Sequence, residues 1–235
     1  VLLRLNSTFF NFGQAKANGD DIRFSTSAGG SVTYQIEQWD AVNGTAVIWL
    51  KVPAIVGNAR QELKMYWGKA DAVSESSGTA VFNAANGYLS VFHMNETVVD
   101  AVGTLTANDT GTTLATGMVG KGRNFTLGKG INCGESITSF PTGNSPSTTE
   151  AWFRANSGNA EIVDWGTEGG GNKVQIRLVS PPKIYIDGNG ASFNGNSTLA
   201  FGQWYHVAHT YTSGSGKIYI NGVLDHTVFN AGSTL

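Results

Sequence analysis

Paired acids, and aromatic rings beside asparagine-rich loops, are the side chains in this sequence equipped to act on a ligand. The first acid pair is Asp20-Asp21, in "KANGDDIRFSTSAGG" (16–30). Two carboxylates cleave a glycosidic bond when they stand across a cleft, about 5–9 Å apart. Neighbours on one turn do not straddle a bond. The stretch therefore reads as a turn feeding a strand: Asn18-Gly19 bends the chain and Asp20 caps nearby amides. Asp21 and Arg23 share a face and are expected to pair, while Ile22 and Phe24 point into a core. A second group of acids lies in "AEIVDWGTEG". Glu161 and Asp164 are three apart, on opposite faces if the strand is regular, and Asp164 and Glu168 straddle a Trp-Gly turn, across which they could converge, but only loosely. No strand carries acids at alternate positions that would put two carboxylates on one face, which argues against a glycan-cleaving enzyme.

Binding is better provided for. Sugars are held by aromatic rings stacked on their C–H faces and by Asn, Asp and Gln groups that bond hydroxyls. "DWGTEGGGNKVQIR" gathers Trp165, Glu168, Asn172 and Arg177 in and beside a glycine loop, and "YIDGNGASFNGN" adds Asp187, Asn189 and Asn194. These seven are the candidate carbohydrate-binding residues. Trp39, Trp49 and Trp67 are expected in a core, with Trp39, beside Asp40 in a turn, the one nearest the surface. Of the histidines, His206 and His209 face opposite sides of one strand and cannot chelate one metal together. The HExxH, Cys/His zinc and Gly-x-Ser-x-Gly patterns are absent from the sequence. Cys133 is the single cysteine, so burial and not a disulfide must hold the fold.

The elements that must position these groups are strands. Val32, Tyr34 and Ile36 alternate with polar residues in 31–39, "TAVIWLKVP" (45–53) is a more apolar run, and "QELKMYWG" (61–68) ends at glycine. Further strands are expected in "TTEAWFRAN", "AEIVDWG", "NKVQIRLV", "PKIYIDGNG" and "QWYHVAHTYT". "KIYINGVLDHTVF" is a hairpin with Asn221-Gly222 at its tip. Only 14% of residues are charged, 31 are glycine, and long helical periodicity is missing, a composition suited to an all-β chain solvated by hydroxyls and amides. A net charge of −2 gives no reason to expect nucleic acid or an anionic membrane as partner. No apolar run approaches the ~20 residues of a spanning helix. The opening "VLLRLNSTFF" reads as a strand already in progress, so the N-terminus is expected to continue from a longer protein. Alternation stops in "ADAVSESSGTAVFNAANG" (70–87), which places a domain boundary near residue 85.

"FNFGQAKANGDDIRFSTSAGGSVTYQIEQWDAVNGTAVIWLKVPAI" and the following "LKMYWGKADA" resemble a bacterial domain of unknown function, found in secreted or surface multidomain proteins and in ExbB-like fusions. The resemblance spans residues 1–85 and carries no established chemistry. In that family a concanavalin A-like, laminin-G-like jelly roll often follows, and residues 88–235 resemble one. "YLSVFHMNE" is similar to its opening strand, and "TTEAWFRANSGNAEIVDWG" and "WYHVAHTYTSGSGKIYINGVLD" are the most specific segments. The resemblance implies that Trp152 and Trp204 are buried. It also implies a closing strand that does not occur before Leu235, which leaves an edge strand unpaired. Jelly rolls of this kind often hold calcium, and Asn95, Glu96, Asp100 and Asp109 lie where such ligands would come from, although in no EF-hand pattern. No cofactor is required by this reading.

The sequence thus predicts two β-sandwich-type domains in tandem, 1–85 and 86–235, the second a laminin-G-like jelly roll. The expected role is non-catalytic glycan binding within a larger secreted, periplasmic or cell-surface bacterial protein. Its partners are a polysaccharide and further domains of the same polypeptide, without membrane contact by this segment. An adhesion or spacer module is the competing expectation, and a glycan-cleaving enzyme the third.

Overall fold

The computed structural model of the chain describes residues 1–135, 137–143, 145–167, 172–188 and 191–228, leaving aside the side chains of Asn172 and Ala191. Of the described residues, 42% are in strands and 5% in helices, the all-β class expected. It divides into two compact units, Val1–Thr138 and Ser139–Leu235.

In the first unit, β1 (Leu2–Asn6), β4 (Thr45–Leu50) and β3 (Tyr34–Asp40) form one antiparallel sheet in the order β1-β4-β3. A second sheet pairs β2 (Arg23–Thr26) with β5 (Leu63–Tyr66). Alternation explains the arrangement: Phe24 from one sheet, with Ile22 just before it, and Tyr34, Ile48 and Leu50 from the other, bury in a common core with Phe10, Phe12 and Val32. At the turn before β2, Gly19 has φ of +71°, and a Cβ there would sit 2.8 Å from the Trp39 ring. Both the backbone and that close approach require glycine.

The stretch 70–87, where strand alternation stops, is folded. Ser77 caps a short helix, α1 (Gly78–Val81), and donates its own amide to Tyr34 O (2.9 Å), while the Ser76 hydroxyl accepts from the Ile36 amide (2.8 Å). Val81 and Phe82 then bury with Ala101 and Val102. Short pairs complete the unit: β6 (Asn108–Asp109) with β9 (Ile131–Asn132), and the hairpin of β7 (Thr113–Thr116) with β8 (Lys121–Asn124). Hydrogen bonds from Arg4 to Met118 O and from Asn95 to Glu37 O tie residues 86–138 to the first sheet. "YLSVFHMNE", expected as a strand, makes a single bridge, Phe92 to Asp100. Asp100 is the physical reason. It gathers the amides of Val91, Val102, Thr104 and Leu105, and so curls this segment into a loop.

In the second unit two four-stranded sheets face each other. One runs β10 (Ser147–Phe153), β15 (Tyr205–Thr212), β16 (Ser215–Ile220), β17 (Val223–Val228). The other runs β11 (Ala160–Thr167), β12 (Asn172–Val179), β13 (Lys183–Gly188), β14 (Ala191–Asn194). Ile176, Leu178, Ile184 and Ile186 of the second sheet meet Val207, Ile218 and Ile220 of the first in a single core. The β16–β17 turn is Asn221-Gly222, both at positive φ, as its sequence requires.

Candidate functional site

The strands β12 and β13 decide what the β11–β14 sheet shows on its outer side. Val174, Ile176 and Leu178 point inward, so Lys173, Gln175 and Arg177 must point outward; Ile184 and Ile186 do the same for Tyr185 and Asp187. The register sets Gln175 opposite Asp187, Arg177 opposite Tyr185, and Tyr185 opposite Asn194, and directly opposed residues share a face. One polar face therefore collects residues from three hairpin-linked strands.

β11 adds two acids to it. Glu161 pairs with Arg177 and Asp164 with Gln175, because a β-bulge between Glu161 and Val163 inserts one extra residue. The strict alternation of the sequence had put these acids on opposite faces, and the bulge corrects that. Gln175, only 4% exposed, donates from Nε2 to Glu161 Oε1 (2.7 Å) and to Asp164 Oδ2 (3.3 Å). Both carboxylates are exposed beyond that amide. Asp187 accepts from Ser192 Oγ (2.8 Å) and pairs with Lys173 Nζ (3.4 Å). The Arg177 Nε is buried with no acceptor among the described residues. Carboxylate, amide, guanidinium, ammonium and phenol groups thus stand together on a rigid sheet, the mixture that hydrogen-bonds a polyhydroxylated ligand.

Of the seven candidate sugar ligands, Arg177, Asp187 and Asn194 belong to this face. Asn172 begins β12 at its edge, and Glu168 and Asn189 lie outside the described residues. Trp165 does not join them. It opposes Val174 on the inner side, donates from Nε1 to Thr149 Oγ1 (2.9 Å) and meets Phe140 edge-on. Glu161, Asp164, Gln175 and Tyr185 are the members that strand reading missed. The polar alternation of "NKVQIRLV" against "KIYIDG" was the available signal for Gln175 and Tyr185. Nothing in the sequence marked the bulge.

The acids nearer the N-terminus are structural. Asp21 is buried and accepts from the amides of Lys16 (2.8 Å) and Gly68 (2.6 Å). Burial pushes its carboxyl up, but these amide bonds outweigh it and hold the group below the usual aspartate range. Asp20 contributes its carbonyl, which accepts from Arg23, and not a side-chain cap. The expected Asp21–Arg23 pair does not form, since Arg23 turns to Glu75 (3.0 Å) and to the carbonyls of Ile22 and Val73. Glu37, His93 and Trp49 form a second buried cluster. Trp49 Nε1 donates to Glu37, and His93 Nδ1 lies 3.3 Å from the same carboxylate. Burial raises Glu37 to about 7 and lowers His93 to about 4, but the pair is enclosed by Phe82 and Trp49, out of a polymer's reach.

Of the four candidate calcium ligands, the two aspartates are spent on the protein's own donors. Asp100 accepts from four backbone amides and the Thr104 hydroxyl, and Asp109 from two amides, the Thr112 hydroxyl and Arg123. Their lone pairs are taken, and calcium needs six to eight free oxygens. Asn95 donates its amide nitrogen to Glu37 O, its Oδ1 is buried with no partner among the described residues, and Glu96 is exposed. Among the described residues no three His, Cys, Asp or Glu side chains gather as metal ligands would. Nor, among them, is any helix long and apolar enough to cross a membrane.

Two sheets closed on one core, with a polar outer face, define a jelly-roll-type sandwich. Residues 128–235 match the concanavalin A-like lectin/glucanases superfamily, and residues 18–92 match a domain of unknown function, DUF2341. The chain therefore carries this domain of unknown function followed by a concanavalin A-like domain. No curated protein matches it. Among solved structures, one similar in part is domain 4 of AbnA, a GH43 extracellular arabinanase from Geobacillus stearothermophilus, in complex with arabinotriose. It shares 22% identity over 56% of this chain and 69% of that one, with a TM-score of 0.42. A second is a candidate carbohydrate binding protein from Bacteroides ovatus, with 14% identity, 92% and 61% coverage and a TM-score of 0.33. This chain thus spans under two thirds of the Bacteroides ovatus protein.

Proposed function

We propose that this chain is a non-catalytic glycan-binding part of a larger secreted or surface bacterial protein. The outer face of the β11–β14 sheet is its binding surface. The observation that carries this reading is the convergence of Glu161 and Asp164 on the buried Gln175 amide, beside Arg177, Tyr185 and Asp187. A carboxylate that spends one lone pair on an amide still offers others to sugar hydroxyls, and Tyr185 supplies an aromatic surface among them. The membership of residues 128–235 in a superfamily of lectins and glucanases supports the same class. A glycan array and affinity gels, run with calcium and with EDTA, test it. Retention by one polysaccharide class, unchanged by EDTA, is expected; a folded chain that binds no glycan would sink the reading.

The acid pair also favours a second reading, cleavage of the bound chain, because two carboxylates on one face are the catalytic set of glycosidases. Incubation with the retained polysaccharide separates the two. No new reducing ends are expected, whereas ends that vanish in Glu161→Gln would establish an enzyme.

A further inference from the structure

The domain of unknown function has a groove of its own, of about 350 Å³, formed where β5 ends beside the start of β2. Tyr66 and Trp67 line it with 48% and 42% of their surfaces exposed, so Trp67, expected in the core, is corrected to a surface position. The reason is local. Met65 takes the inward position of β5, opposite Phe24, and its neighbour Tyr66 must face out, opposite Arg23. Gly68, at φ of +90°, then turns the chain while its amide is held by Asp21. Trp67 is left at the rim with its edge against Phe10 (5.2 Å). That contact fixes the ring while leaving part of it to solvent.

Of the ionic groups of the groove, Arg23 is placed as firmly, while Lys69 and Asp71 stand exposed at its rim. Arg23 is held by Glu75 (3.0 Å), by the Tyr34 hydroxyl (3.2 Å) and by three backbone carbonyls, and Lys69 lies 3.7 Å from Asp71. Two cations face three carboxylates, Asp71 and Glu75 exposed and Asp21 buried against the Lys16 and Gly68 amides, so the groove is close to charge balance and does not select a polyanion. Fixed aromatic surface with balanced hydrogen-bonding groups matches a neutral, polyhydroxylated ligand. The volume, within the range of about 300–1,000 Å³ typical of small-ligand sites, admits a few sugar rings.

We propose that this groove, lined by Arg23, Tyr66, Trp67, Lys69, Asp71 and Glu75, is a second binding site, in the first domain, for a neutral oligosaccharide or polysaccharide segment. The role of the second domain is a separate matter. Two sites on one chain would raise avidity for a polymer well beyond either alone.

The test uses the whole chain carrying Arg177→Ala and Asp187→Ala, which disables the sheet face of the second unit. Native affinity gels containing soluble xylan, β-glucan or linear arabinan are the probes. Residual retardation on at least one polymer is expected, weakened roughly tenfold by Trp67→Ala, whose stacking surface is removed, and about threefold by Asp71→Ala, an exposed position that leaves the core intact. Circular dichroism checks that Trp67→Ala stays folded, and Asp71→Ala gives the answer if it does not. No residual retardation on any polymer, or retardation that neither variant changes, overturns the proposal. If the polar-face substitutions alone leave retention at the level of the unsubstituted chain while Trp67→Ala removes it, the groove is the site and the sheet face is not.

Discussion

In the first unit a carboxylate is buried and spent on backbone amides; in the second, two exposed carboxylates surround one buried amide. Asp21 clamps the Lys16 turn to Gly68, while Glu161 and Asp164 share Gln175 and keep their outer lone pairs for solvent. The first arrangement stabilises and has little left to bind with. The second contributes little to stability and presents acceptors to a ligand. Whether an acid pair is structural or functional is thus decided by which side of the carboxylate the protein's own donors occupy.

The largest effect expected from breaking this contrast is at Asp21. Asp21→Ala leaves two part-buried amides without their acceptor and should destabilise the first unit by about 2 kcal/mol, read from the denaturant midpoint. The pH dependence carries the same sign argument. The folded carboxyl lies below its unfolded value, so its contribution is fully present above about pH 4 and is lost as the pH falls through the folded pKa. The gap between wild type and Asp21→Asn should therefore be constant from pH 5 to 7 and shrink in acid; a gap that widens on acidification would contradict the clamp.

Trp165→Ala comes next, with an effect of similar size. The ring packs inward against Phe140 and Val174, so the substitution should cost about 2 kcal/mol of stability, with glycan affinity of the folded fraction unchanged. A large affinity loss without a fall in Tm would return Trp165 to the binding surface. The double change Glu161→Gln, Asp164→Asn keeps the side-chain shape and should leave Tm within about 2 °C, as for exposed positions, while glycan retention falls about tenfold. The smallest effect is at Asp20→Ala. Its side chain accepts no hydrogen bond among the described residues, so the change should stay within about 0.5 kcal/mol.

Much of the fold could be read from alternation. "NKVQIRLV" is β12 residue for residue, and the Asn221-Gly222 hairpin lies where its turn chemistry placed it. What alternation hides is anything that shifts its phase. One bulge residue after Glu161 moved an acid from one face to the other, and no propensity signals it. Trp152, expected buried, is 44% exposed beside His206 because the inward positions of β10 fall to Ala151 and Phe153. Asp100 was visible as an acid in a loop, but its role depends on four amides that only the folded chain brings to it. Local period thus specified the strands, while the site depended on register, which is a property of pairs of strands.

The central claim is that the β11–β14 face, and not the opposite outer face with Trp152 and His206, meets the glycan. Calorimetric titration with the polysaccharide selected by the array compares Arg177→Ala, Asp187→Ala with Trp152→Ala. The account predicts at least a tenfold loss of affinity for the first and wild-type affinity for the second. Full affinity in the first, with loss in the second, would place the binding surface on the other sheet and contradict it.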